Sequence, residues 1–230
     1  MYLGTRAIAV CRGNEVLLAE PVSGTEQGIE RLAGWLGEAP ARSRVKLWLS
    51  GGLCRPFVLP PVPGVRSKEE LVQMATAMAP LHTGLDGGCT VWLENAALTA
   101  SCVAVAVQSD VLAQWHGALA KIRPKPVTIA IRPWWNELLR ASADAAPVPT
   151  GLAVCDCDSL TVLLGAGAAI ERVVNVFPVV DETAADAALA RVLLSADAAT
   201  SQVPTARLRL DGVSSVQGAV ALSPLLEWTR

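Results

Sequence analysis

Two strand pairs, one opening each half of the chain, constrain the fold more than any other feature of the sequence. In the first, RAIAVCR and EVLLAE flank Gly13-Asn14, a two-residue turn of the kind tight hairpins favour. In the second, GLAVCD, SLTVLLG and AIERVVNV follow one another, and Gly165-Ala166-Gly167 is the expected turn between the last two. Each half starts with a hairpin, adds a further strand, and then turns to helix and strand. That internal echo points to two related lobes rather than one continuous sheet. ADAAPVPTG, rich in Ala and Pro, is the expected boundary, so the predicted units are an N-terminal lobe with an inserted subdomain over residues 1–145 and a C-terminal lobe over 146–230.

Between these strands the periodicity changes to helical. GTEQGIERLAGWL places Ile29, Leu32, Ala33 and Leu36 on one face, with Thr25 as the expected cap. RVKLWLS is a strand with Val45, Leu47 and Leu49 on one side, and CRPFVLP is another after Gly51-Gly52. SKEELVQMATAM is a helix opened by Ser67 with Glu70 three residues on, a capping box. CTVWLEN and LTASCVAVAV read as antiparallel strands, and SDVLAQWHGALAKI as an amphipathic helix capped by Ser109. PVTIAI is expected to be a central strand, and PWWNELLRASA a helix with Pro133 at its first position. DETAADAALARVLLSAD is a long helix, ARLRLDG a strand, and SSVQGAVALSPLLEW a closing helix or turn.

Composition narrows the function classes. With 230 residues and 52% hydrophobic content the chain can bury a sizeable core, built from Ala, Val and Leu because only ten residues are aromatic and seven of those are Trp. The net charge of −2 and the lack of any basic run exclude the electrostatic footprint of a nucleic-acid binder. Arg6, Arg12 and Glu15 interrupt the N-terminus too early for a signal peptide, and no uncharged apolar stretch reaches membrane-spanning length. A cytoplasmic location is the expectation. The six cysteines, most of them within apolar strand patterns, are expected to be reduced, buried thiols.

VCDCDSLTVLL carries the main chemical question. On a strand Cys155 and Cys157 share one face and Asp156 and Asp158 the other. Zinc needs four ligands, and His82 and His116 are single and distant; a redox pair uses a different spacing. The two carboxylates could hold Mg²⁺ or place a water, or they could be turn residues between two strands. Gly165-Ala166-Gly167 has no following Lys-Ser/Thr and no helix start, so it is not a phosphate loop. Gly-x-Ser-x-Gly and His-Glu-x-x-His are absent. Trp134 and Trp135 point about 100° apart on a helix, so one packs inward and the other can face a groove.

Four stretches resemble an actin-like ATPase fold in its degenerate bacterial branch, the family that includes the type IV pilus protein PilM and the cytoplasmic domain of the type II secretion protein GspL. They are VKLWLSGGLCRPFVLPPVPGVRSKEELVQMATAM, CVAVAVQSDVLAQWHGALAKIRPKPVTIAIRPWWNELLR, GLAVCDCDSLTVLLGAGAAIERVVNV and ARLRLDGVSSVQGAVALSPLLEW. The resemblance implies a two-lobed α/β fold, ribonuclease H-like, with mixed sheets flanked by helices. It places Asp156 and Asp158 at the second phosphate loop and Gly212 at the adenine site, all three as vestiges. The first phosphate loop, which the family carries between its first two strands, is expected at VCRGNEV, where Arg12 stands and no Asp does. Cys157 and Asp158 replace the small residues that let phosphate approach the backbone, and Val213 replaces a second Gly. The expectation is therefore a non-catalytic scaffold with no catalytic residue, no metal site and no bound ATP or Mg²⁺. It would sit at the inner face of the inner membrane in a pilus or secretion assembly. There it would bind the cytoplasmic N-terminal tail of a membrane partner, with Arg55, Phe57, Trp92 and Trp134 as candidate contacts, and would touch other platform or motor proteins. The alternatives are a divergent Mg-nucleotide enzyme using Asp156 and Asp158, and a self-assembling actin-like filament protein.

Overall fold

The computed structural model describes residues 1–12, 15–38, 44–86, 88–94, 100–122, 128–133, 151–166, 169–196, 203, 205–208 and 226–229. The first half holds β1 (Tyr2–Leu3), β2 (Ala7–Arg12), β3 (Glu15–Pro21), α1 (Thr25–Glu38) and β4 (Arg44–Leu49). After these come β5 (Arg55–Leu59), α2 (Lys68–Thr83), β6 (Cys89–Glu94), β7 (Cys102–Gln108), α3 (Ser109–Ala120) and β8 (Thr128–Pro133). The second half holds β9 (Gly151–Cys155), β10 (Leu160–Ala166), β11 (Ala169–Val176), α4 (Glu182–Ser195), β12 (Thr205–Leu208) and β13 (Leu226–Thr229).

The echo is a repeat of topology. One sheet runs β3-β2-β1-β4-β8 and the other β11-β10-β9-β12-β13. In both, an antiparallel meander of three strands is followed by a helix and a fourth strand parallel to the first: β4 pairs with β1 and β12 with β9. The copies part company at the fifth strand, since β8 is parallel to β4 whereas β13 is antiparallel to β12. A third sheet, β5-β7-β6, comes from the chain between β4 and β8, with α2 packed on β5 and β6.

Period-2 burial joins these layers. Along β9 and β10, Leu152, Val154 and Leu163 enter the main core with Tyr2, Leu3, Leu47, Leu49, Val103 and Val105. The alternate residues Ala153, Cys155, Val162 and Leu164 pack under Ala185, Ala188 and Val192 of α4. One core therefore draws on both halves. A separate cluster, Phe57, Leu59, Ala104 and Ala106, lies under Leu71, Ala75 and Ala79 of α2. Ser67 caps α2 as its position predicts, accepting from the Glu70 N–H at 3.1 Å, while the Glu70 carboxylate takes the Arg66 N–H at 2.7 Å.

Several expectations are corrected. β1 was not anticipated, because two residues cannot display an alternating pattern. Among the described residues β8 is the last strand in its sheet order rather than a central one, and it runs through Pro133. A proline has no N–H to give a ladder, so a strand at the edge of a sheet suits it. Thr25 and Ser109 are the first residues of their helices rather than the caps. Leu226, Glu227 and Trp228 form a strand, not a closing helix. The helix expected over 134–143 lies outside the described residues. All six cysteines are free thiols.

Candidate functional site

β1 changes which segments face each other. The turn between the first two strands is Gly4-Thr5-Arg6, and the stretch VCRGNEV runs instead from the second strand to the third. The counterpart of the Gly4–Arg6 turn in the second half is the turn between β9 and β10, residues Asp156–Ser159. The strand ends at Cys155, so the two carboxyl groups sit in a turn instead of on a strand face. That turn is closed by the Asp156 N–H donating to the Ser159 carbonyl at 2.8 Å. A third segment, Ser50-Gly51-Gly52, leaves β4 as a 3₁₀ turn beside the first two.

These turns meet in a buried seam between the halves. Oδ2 of Asp158 accepts from the Thr5 N–H at 2.6 Å, the Thr5 hydroxyl at 2.7 Å and the Ser50 hydroxyl at 3.0 Å. Oδ2 of Asp156 accepts from the Gly51 N–H at 2.8 Å and the Ser159 hydroxyl at 3.2 Å, and its Oδ1 from the Tyr2 hydroxyl at 3.3 Å. Asn175, on β11, donates to the Gly51 carbonyl at 2.8 Å. Arg6 donates to the Val180 carbonyl at 2.9 Å, and the Val179 N–H to the Asp158 carbonyl at 2.8 Å. Asp156 is 5% exposed, and Asp158, Ser50 and Tyr2 are fully buried.

The glycines show how closely the segments approach. A Cβ on Gly4 would lie 2.5 Å from Cys157 Sγ, one on Gly51 2.6 Å from Ser159 Oγ, and one on Gly52 2.8 Å from both Asp158 Oδ1 and the Phe177 ring. The space between the facing turns is filled by side chains of the chain itself.

Burial sets the electrostatics. Desolvation, and then the nearby Asp158, push the Asp156 carboxyl up to about 8, although hydrogen bonds from Gly51, Ser159 and Tyr2 pull the other way. Asp156 is thus largely protonated at neutral pH. Desolvation raises the Tyr2 hydroxyl well above its ordinary value and pushes the Cys157 thiol up to about 12. Burial thus disfavours the charged form of both groups.

Of the other residues singled out from the sequence, Arg55 lies at the mouth of the seam. It donates to the Gly52 and Cys54 carbonyls at 3.0 and 3.1 Å, with its guanidinium 5.8 Å from the centroid of the Phe177 ring. Phe57 is buried under α2, stacked on His82 at 5.2 Å. Trp92 is half-buried on β6 against the main core. Trp134 and Gly212 lie outside the described residues. Cys155 and Cys157 do not form a pair on one face: Cys155 packs under α4, whereas Cys157 meets the Tyr2 hydroxyl at 3.3 Å. Sequence reasoning missed Tyr2, Thr5, Ser50 and Asn175. The only trace of Thr5 and Ser50 was the small, polar turn after each of two apolar strands, Gly4-Thr5 and Ser50-Gly51.

No family model and no curated protein matches the chain. Solved structures do. A protein from Bacteroides thetaiotaomicron VPI-5482, with an actin-like ATPase fold and unknown function, aligns at TM-score 0.54 and 9% identity over 86% of this chain and 77% of that one. The cytoplasmic domain of EpsL, an inner membrane component of the type II secretion system of Vibrio cholerae, aligns at TM-score 0.48 and 13% identity over 94% and 84%. The PilM–PilN type IV pilus biogenesis complex aligns at TM-score 0.47 and 14% identity over 86% and 65%. The first of these similarities shows the fold: the chain has an actin-like ATPase fold, as its sequence resemblance implied. No helix among the described residues is long and apolar enough to cross a membrane.

Proposed function

We propose that this chain is a non-catalytic scaffold on the cytoplasmic face of an inner-membrane type IV pilus or type II secretion assembly, where it holds the cytoplasmic tail of a membrane partner. The assembly and the tail are inferred from the four stretches that resemble the PilM and GspL family. The filled seam carries the non-catalytic part. An actin-like ATPase needs free backbone amides and small residues in two facing turns to receive Mg-triphosphate. Here the Thr5 and Gly51 amides are taken by the two carboxyl groups of the opposite turn. A triphosphate entering this seam would have to displace both, and would meet two buried carboxyl groups where it needs donors. The fold is retained while its ligand space is used for packing, which suits a protein whose work is contact. Arg55, held at the seam mouth beside half-exposed Phe177, is the best placed of the candidate contacts for a partner's tail.

Titration calorimetry with Mg-ATP tests this reading. The expected result is no heat of binding up to millimolar nucleotide. Micromolar binding abolished by Asp156→Ala would overturn it in favour of a Mg-nucleotide enzyme. Concentration-dependent polymerisation in light scattering would overturn it in favour of a filament protein.

A further inference from the structure

We propose that the Gly4–Arg6 turn, together with Ser50, is a binding site for a small carboxylate, and that its ligand is the chain's own Asp158 side chain. This internal ligand pins the second half of the molecule to the first. The inference rests on the reading that no nucleotide occupies the seam. Three donors converge on one oxygen of Asp158, and they come from two separate segments of the first half: Thr5 N–H and hydroxyl, and the Ser50 hydroxyl. An aspartate kept only for turn chemistry would bond its own backbone two residues on. Asp158 reaches instead across 153 and 108 residues of sequence.

Its second oxygen, Oδ1, is buried and has no hydrogen-bond partner among the described residues. A buried acceptor left unmade is costly, so the bonds on Oδ2 have to outweigh that cost. The backbone beside these donors is held independently of Asp158: Gly4 N–H donates to the Ala7 carbonyl and Ser50 N–H to the Leu3 carbonyl, both at 2.9 Å. A site whose backbone is tied to neighbouring strands can persist when the ligand is lost. Tethering supplies the ligand at high effective concentration, so no free anion competes with it in the intact chain.

Chemical rescue tests this on the full chain. Asp158→Gly removes the ligand and leaves room for acetate or formate. Thermal unfolding is followed for the wild type and the variant in sodium acetate, in sodium formate, and in sodium chloride at matched ionic strength. The variant is expected to melt about 5–10 °C lower. Acetate or formate should raise its Tm beyond the effect of chloride and leave the wild type unmoved. A folded variant on which acetate and formate act no differently from chloride overturns the proposal, as does one as stable as the wild type. If Asp158→Gly does not fold, a cycle of Ser50→Ala with Asp158→Asn decides. The loss of the Ser50 hydroxyl should lower Tm at least twice as much with Asp158 present as with Asn, and equal costs overturn the proposal. Mg-ATP binding in the seam would sink both readings, whereas failed rescue by acetate and formate without Mg-ATP binding would sink this one alone, so the two failures are distinguishable.

Discussion

Asp156 shows how a single turn residue couples the halves to pH. Its folded-state value of about 8 lies far above the ordinary 3.8, so the folded chain holds a proton that the unfolded chain releases near pH 4. The stability this group contributes is complete below about pH 4 and is lost as pH rises towards about 8. Within that window the slope approaches 1.4 kcal/mol per pH unit. We expect the urea midpoint of the wild type to fall between pH 5 and pH 8. In Asp156→Asn, which keeps an acceptor for the Gly51 N–H, that fall should be shallower by most of this slope. Parallel pH profiles for the two proteins would contradict the assignment. The sequence hid this site for a physical reason. Asp-Cys-Asp-Ser has the composition of an exposed turn, and burial of both carboxyls depends on Tyr2, Thr5 and Ser50, more than a hundred residues away in the chain. Local pattern records that such residues can turn, and is silent on what the turn packs against.

Elements with enough residues to display a period were legible. α2 announced itself by Ser67 and Glu70, and β4 by Val45, Leu47 and Leu49, because capping and alternation are local. β1 has two residues and no period, yet it is fully buried between β2 and β4 and positions the turn that receives Asp158. Its role is fixed by neighbours on both sides, and only the fold reveals it. Glycines divide in the same way. Gly34, on the exposed side of α1, has nothing within 4 Å of an added Cβ, whereas Gly51 has Ser159 Oγ at 2.6 Å and Thr161 Oγ1 at 2.7 Å. Gly34→Ala should stabilise the chain by about 0.5–1 kcal/mol through helix propensity. Gly51→Ala should destabilise it by about 1–3 kcal/mol, because the Gly51 turn must part from Ser159 and Thr161 to admit a methyl group. Denaturant midpoints of the two variants measure both effects. A Gly51→Ala protein as stable as the wild type would mean the seam is looser than its contacts imply.

For the whole molecule, the repeat was visible in the sequence but misaligned by one strand. The pair RAIAVCR and EVLLAE looks like the start of a lobe, yet β2 and β3 correspond to β10 and β11, and β1 corresponds to β9. That shift brings the Gly4–Arg6 and Asp156–Ser159 turns into register as facing partners and makes the seam a property of the repeat. The halves also share a core, with Leu152, Val154 and Leu163 packed among Tyr2, Leu3 and Leu49. Parting them would expose apolar surface on both sides and leave Asp158 without its donors. Hydrophobic burial and the buried carboxyls thus penalise the same opening, and neither half should melt alone. Six of the seven tryptophans precede residue 146, so fluorescence weights the first half, whereas far-UV circular dichroism reports on both. The two signals should follow one coincident urea transition. A second transition seen by dichroism alone would show that the C-terminal half unfolds as its own unit, and the seam would then be a docking surface between independent domains.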